Sequence, residues 1–332
     1  MKRGKGQYIY DFDKHKFVDF RLNEGSLILG HAYPNVTKMI KNTVSKGYCA
    51  ELPSPLEYRL AKTITLAYPA MNCVRFKNSK SQCIKELIEM TRNTRDKEKI
   101  LFIGEGYPEN NPDTMEIMTD YDLNGINDRL SRGDFGALCL EPVSVRQGLL
   151  IHDKDYFKAI EELCKDHSLL FILDEEITGF RLAAGGGTEY YGLKPDMILL
   201  GKVIGGGFPL YAISSQKRYF ECFSPKGQEV MSPLYFAAGL ETIRILKREN
   251  PYDEMKRLTE YIRKVLDKNK IESEVLGSLF AVRGSDESNW FFAMLEEGFY
   301  MNLKSTDCHF LSITHRENDI KRLTKAIVPQ VS

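Results

Sequence analysis

The chain has 332 residues, 42% hydrophobic and 28% charged, enough to bury the core of one large domain with a smaller one beside it. Forty-six basic residues balance forty-six acidic ones, so no overall field favours nucleic acid or an anionic membrane. No apolar run approaches the ~20 residues needed to span a bilayer, and the basic start MKRGKGQYIYDFD lacks the apolar stretch of a secretory signal. Seven cysteines (Cys49, Cys73, Cys83, Cys139, Cys164, Cys222, Cys308) are odd in number and show no C-x-x-C spacing. Reduced thiols in a cytoplasmic protein are expected, with neither a disulfide framework nor a metal site.

Residues 8–20, YIYDFDKHKFVDF, alternate apolar and polar positions about Asp13-Lys14-His15-Lys16 and predict a β-hairpin. Leu56, Leu60, Ile64 and Ala67 recur at helical spacing and predict a helix over 55–68. Cys73 to Phe76 reads as a short strand leading to a helix over about 81–94, and Lys99 to Ile103 as another strand. Phe135 to Leu140 is a buried strand ending in Glu141-Pro142-Val143, followed by a helix over about 154–167 with Tyr156, Ile160 and Leu163 inward. Amphipathic helices over about 234–247 and 251–268 are assigned to packing.

The stretch from Leu169 to Tyr211 carries the chemistry. Its first apolar run, Leu169 to Leu173, ends in Asp174-Glu175-Glu176; its second, Met197 to Leu200, ends in Gly201-Lys202 and then Gly205-Gly206-Gly207. Open α/β sheets place ligands outside the carboxyl ends of their strands. An acid and a lysine delivered there are the minimum equipment for pyridoxal phosphate, since the acid can keep a pyridine nitrogen protonated and the lysine can hold an aldehyde. An acid after one strand and a lysine after another also occur in α/β proteins that use no cofactor.

D-E-x-x-T-G-F-R, an aromatic pair with G-x-K-P-D, and L-G-K-V-I-G-G-G-F-P together resemble the class III pyridoxal-phosphate aminotransferases, and within them the glutamate-1-semialdehyde aminomutases. The resemblance covers the chain from Tyr8 onward. It implies a fold-type I transferase: a mostly parallel seven-stranded sheet flanked by helices, with a smaller α+β domain built from both chain ends. The expected divisions are 1–45 for the N-terminal part of the small domain, 46–248 for the large domain and 249–332 for the rest of the small domain. It further implies a homodimer with shared active sites, Lys202 as the lysine holding the cofactor aldehyde and Asp174 as the partner of the pyridine nitrogen.

Several positions depart from the family pattern. The family's longer N-terminal arm is expected to be missing ahead of Tyr8. Where the aminomutases carry S-W-G-P, this chain has Asn23-Glu24-Gly25-Ser26, ahead of L-I-L-G-H-A-Y-P and a helix over about 34–46. Glu24 either faces a cationic or hydroxyl-rich substrate or points to water. The phosphate-binding N-S-G-T-E-A reads Asn78-Ser79-Lys80-Ser81-Gln82-Cys83: Ser79 and Ser81 keep hydroxyls, whereas Lys80 either adds a charged contact to phosphate or obstructs the cup. Tyr107 would stack on the cofactor ring, with Pro108 in place of a histidine. Only 34 positions separate Tyr107 from Glu141, too few for the family's mobile gate, which favours transamination over an intramolecular amino shift. Glu176 replaces a valine expected against the ring. It is read as paying desolvation, as having a raised pKa, as an extra acid-base group, or as reaching water or Lys80. Gln228 replaces a threonine that reaches the neighbouring subunit's phosphate. Glu141 and Asp307 are expected near the substrate, and His315 to cap the terminal helix.

The resulting expectation is an aminotransferase moving an amino group between an amino donor and a carbonyl substrate other than glutamate 1-semialdehyde, with a sugar or nucleotide-linked substrate in view. An aminomutase or decarboxylase on the same cofactor is the alternative enzyme. A catalytically impaired binding or regulatory descendant is the alternative outside enzymes, motivated by Lys80, Pro108, Glu176 and Gln228.

Overall fold

The apolar runs that end in the acid and the lysine become central strands of one sheet. The protein is described by a computed structural model over residues 1–47, 52–107, 113–221, 231–284 and 289–331. The main sheet contains β1 (Cys73–Lys77), β2 (Lys99–Ile103), β3 (Met115–Met118), β4 (Phe135–Leu140), β5 (Leu170–Glu175), β6 (Met197–Leu200) and β7 (Tyr211–Ser215). Across the sheet the order is β1-β7-β6-β5-β4-β2-β3. All neighbours are parallel except β7, which runs antiparallel to both β6 and β1. This is the mostly parallel seven-stranded sheet that the sequence resemblance implies.

β4, β5 and β6 are buried along their whole length, which is why their sequences show no polar alternation. Leu138, Leu173 and Leu200 pack into the core on one face; Cys139, Ile172 and Leu199 pack on the other. Each such aliphatic side chain contributes about 1.5–3 kcal/mol of burial. The helix over Lys154–Asp166 buries Phe157, Ile160 and Cys164, with Tyr156 and Leu163 only half-buried, so its inward stripe lies one position further on than expected.

The two chain ends build a second core. Arg3–Lys5, Tyr8–Tyr10 and Lys16–Asp19 form an antiparallel ribbon, and Phe299–Tyr300 adds in parallel to its last strand. Val18 and Phe20 pack with Leu258, Ile262, Phe280, Leu311 and Ile320. The hairpin turn falls as expected, and Arg3–Lys5 is an additional strand.

The same packing fixes the backbone around the lysine. Helix Pro233–Glu249 lies directly on the 3-10 turn Lys202–Gly205, and a Cβ at Gly239 would collide with the Ile204 carbonyl oxygen. Only glycine permits that approach.

Candidate active site

Asp174 lies on β5 beside Leu199 of β6, and Lys202 follows two residues after β6 ends. Adjacent parallel strands thus bring the acid and the lysine to one edge. Lys202 adopts φ 48°, a left-handed conformation rare for a residue with a side chain. Gly201 permits the crossing: a Cβ there would lie 2.9 Å from the Tyr211 ring and 3.0 Å from Glu176 Cγ.

Five side chains form a row of alternating charge. Lys80 Nζ lies 2.8 Å from Asp174 Oδ2 and 3.0 Å from Glu176 Oε2. Lys202 Nζ lies 3.7 Å from Glu176 Oε1 and donates to Glu24 Oε2 at 2.6 Å. The Tyr211 hydroxyl donates to Glu176 Oε1 at 3.2 Å. Asp174 at one end is 1% exposed and Glu24 at the other is 67% exposed, so the row runs from the sheet interior to water. Burial opposes ionisation of Lys80, but Asp174, then Glu176 and Glu141, outweigh it and hold the ammonium well above its usual pKa. Burial likewise opposes the Glu176 carboxylate, which Lys80 and Lys202 nonetheless hold below its usual range. Hydrogen bonding and attraction from Lys202 lower Glu24.

These contacts bear on three expectations. Glu176 does not have a raised pKa; its head reaches Lys80, Lys202 and Tyr211. Glu24 is exposed to water and at the same time ion-paired to Lys202. The Lys80 stem carries its ammonium across to Asp174 and Glu176.

The remaining predicted residues divide. The Tyr107 ring sits under the Lys80 ammonium, 4.4 Å from Nζ to the ring centroid, and packs on Phe102. Glu141 is buried in the same cavity, and burial followed by the nearby Asp174 charge pushes its pKa up to about 8. Asp307 lines the cavity and accepts from its own loop at Lys304 N. Ser79 caps the helix Lys80–Arg95 by accepting from Gln82 N at 3.3 Å, while Gln82 Oε1 accepts from Asn78 N at 2.9 Å. Ser81 is exposed. Gln228 and Pro108 lie outside the described residues. His315 is not a helix cap: its Nδ1 accepts from Ser312 N at 3.0 Å, in a turn two residues before the helix Glu317–Val331.

The cavity, about 440 Å³, also exposes Arg21 and Arg146, which the sequence reading missed. Arg21 donates to Asn302 Oδ1 and the Tyr300 hydroxyl. Arg146 lines the cavity, and its charge helps to lower Glu24. Its place in the loop just after Glu141-Pro142-Val143, at a strand's carboxyl end, is the signal that could have found it.

The residues fit pyridoxal phosphate at the chemical positions that matter, on one condition. Asp174 Oδ2 is buried and close to Lys80, yet accepts no well-angled hydrogen bond; it is an acceptor suited to a ring N–H. Lys202 presents its amine to the same cavity, and Tyr107 offers a ring face. The condition is that the Lys80 ammonium, now between Asp174 and Tyr107, moves out.

Comparison with known proteins identifies the family. A family model described as Aminotransferase class-III matches residues 108–301. The glutamate-1-semialdehyde 2,1-aminomutase of Thermus thermophilus is 31% identical, over 98% of this chain and 90% of its own. An omega-transaminase from Sphaerobacter thermophilus shares the fold with a TM-score of 0.89 at 20% identity, covering 99% of this chain and 90% of its own. A transaminase solved with PLP bound has a TM-score of 0.89 at 22% identity, covering 99% and 89%. With both signature residues seated at the edge of a fold-type I sheet, the chain belongs to the class III aminotransferases, the pyridoxal-phosphate-dependent enzyme family that includes the glutamate-1-semialdehyde aminomutases.

Proposed function

We propose that this enzyme transfers an amino group between a small amino donor and a carbonyl acceptor, and that glutamate 1-semialdehyde is not its substrate. The observation that carries the reading is that adjacent parallel strands bring buried Asp174 and cavity-lining Lys202 to one sheet edge, linked through Lys80 and Glu176. When bound, pyridoxal phosphate supplies an electrophilic aldehyde and an electron-withdrawing ring. Asp174 Oδ2 would accept a hydrogen bond from the ring N–H, strengthened by its burial. Lys202 Nζ would hold the aldehyde and serve as the group that moves the proton. Glu24 and Glu176, on either side of Nζ, hold the lysine's proton when it is not in use.

Substrate binding falls to the cavity's mixed charge. Arg21 and Arg146 suit a carboxylate or phosphate, and Glu24 suits a hydroxyl or ammonium group. A neighbouring groove of about 610 Å³ shares Arg21 and Glu24 and is walled by Tyr10, Phe17 and Tyr300. A substrate longer than a simple amino acid, such as an amino sugar or nucleotide-linked sugar, fills both. A homodimer in the cytoplasm is what the family resemblance implies, and we carry it into the proposal. Among the described residues no helix is long and apolar enough to cross a membrane, and five cysteines are free thiols.

The test is the visible absorbance of the protein after pyridoxal phosphate is added and excess removed. Wild type acquires the band of lysine-bound cofactor, Lys202→Ala does not, and one member of a panel of amino donors bleaches it with release of a carbonyl product. No band in wild type and no difference from Lys202→Ala defeats the reading. Formation of 5-aminolevulinate from glutamate 1-semialdehyde defeats its substrate clause. A second reading, a binding protein without cofactor, is favoured by one observation: Lys80 in the ring's place.

A further inference from the structure

We propose that Lys80 and Gln82 are internal surrogates for the cofactor, so that pyridoxal phosphate binds this enzyme only by displacing side chains that imitate both of its ends. This rests on the proposal that the cofactor binds between Asp174 and Lys202.

The imitation is specific at each end. A ring bound there would set its protonated nitrogen on Asp174 and one face on Tyr107. The Lys80 ammonium takes both contacts, at 2.8 Å from Asp174 Oδ2 and 4.4 Å from the Tyr107 ring centroid. The phosphate would sit on amide groups at the start of the helix Lys80–Arg95, where unpaired N–H groups attract anions. There the Gln82 amide oxygen already accepts from Asn78 N at 2.9 Å, and the Ser79 hydroxyl accepts from Gln82 N. A cation thus stands at the nitrogen end and a carbonyl and hydroxyl oxygen at the phosphate end.

Charge explains why the free protein keeps this arrangement. Asp174 and Glu176 both approach the same ammonium, and without it two buried carboxylates would face each other. Once Lys80 leaves, Glu176 retains Lys202 and the Tyr211 hydroxyl, whereas Asp174 would be left without a cation unless the ring supplies one. Departure of Lys80 and arrival of a protonated ring are therefore one exchange. Lys80 sets how readily the enzyme fills with cofactor.

The experiment is equilibrium titration of cofactor-free wild type, Lys80→Gly and Lys80→Met with pyridoxal phosphate. Bound cofactor is read by dialysis, and melting of the cofactor-free proteins is read in parallel. Expected are an affinity about tenfold or more tighter in Lys80→Gly, a smaller gain in Lys80→Met, and a lower melting temperature for both before cofactor is added. Lys80→Met keeps the stem and removes only the charge, so it serves if the glycine variant folds poorly. Unchanged or weaker binding in both variants overturns the proposal, weaker binding meaning that Lys80 grips the phosphate. If wild type binds and the variants do not tighten, the surrogate idea fails while the proposed function stands. No binding by any of the three proteins removes both.

Discussion

Two regions of this molecule bury polar groups, and they do so by opposite means. At the carboxyl edge of the main sheet, three carboxylates and two ammonium groups alternate, each ion paired with the next. Beside the second core the buried groups are kept neutral or satisfied by backbone. Burial lowers His309 to about 3 and His315 to about 4, so both rings are uncharged. Arg181, fully buried, donates to the carbonyls of Gly25 and Leu311 and to Ser278 Oγ at 2.9 Å, with no carboxylate partner among the described residues. The first region stores charge that a ligand can redistribute; the second spends its polarity on holding segments together.

The sharpest break in that comparison is Lys202→Ala. It should lower amino transfer by about 10³-fold or more, with melting changed little, measured by turnover and circular dichroism. Arg181→Met should do the reverse. It leaves two buried carbonyls and a hydroxyl without their donor, costing roughly 3 kcal/mol, seen as a lower denaturant midpoint with cofactor affinity nearly preserved in the folded fraction.

Acid separates the regions next. The folded pKa values of His309 and His315 lie below the unfolded value, so the native state binds fewer protons and stability falls as pH drops below about 6.5. The slope should approach ~1.4 kcal/mol per pH unit for each histidine. His315→Asn should flatten it by about half, read from denaturant midpoints between pH 6.5 and 4. Glu141 has the opposite sign: its folded pKa of about 8 lies above the unfolded value, so stability is lost as pH rises from about 4.5 to 8. Glu141→Gln should remove that decline, read from denaturant midpoints between pH 4.5 and 8, without abolishing cofactor binding.

Much of the first region was legible because its backbone logic is local. A continuous apolar run closed by an acid or by Gly-Lys marks a buried strand and its carboxyl end, and that placed Asp174 and Lys202 correctly. Tyr107 came instead from the family resemblance, and the structure sets its ring against Lys80. What the sequence did not show is where long side chains turn once the strands are assembled. Lys80 reaches Asp174 and Glu24 reaches Lys202 across large sequence separations, and the direction of a flexible stem is set by the carboxylate it finds, not by its neighbours in the chain. Arg21 and Arg146 escaped for a related reason: neither belongs to a motif, and only the fold brings both to the cavity.

The row of charges has one wet end, and this makes the two lysines unequal toward salt. Dissolved ions screen over about 8 Å at physiological ionic strength and act mainly on exposed groups. Glu24 is 67% exposed and Asp174 only 1%. Raising salt should therefore loosen Glu24 from Lys202 while Lys80 stays seated. Ionic strength then becomes a dial that frees the reacting amine and leaves the place of the ring closed.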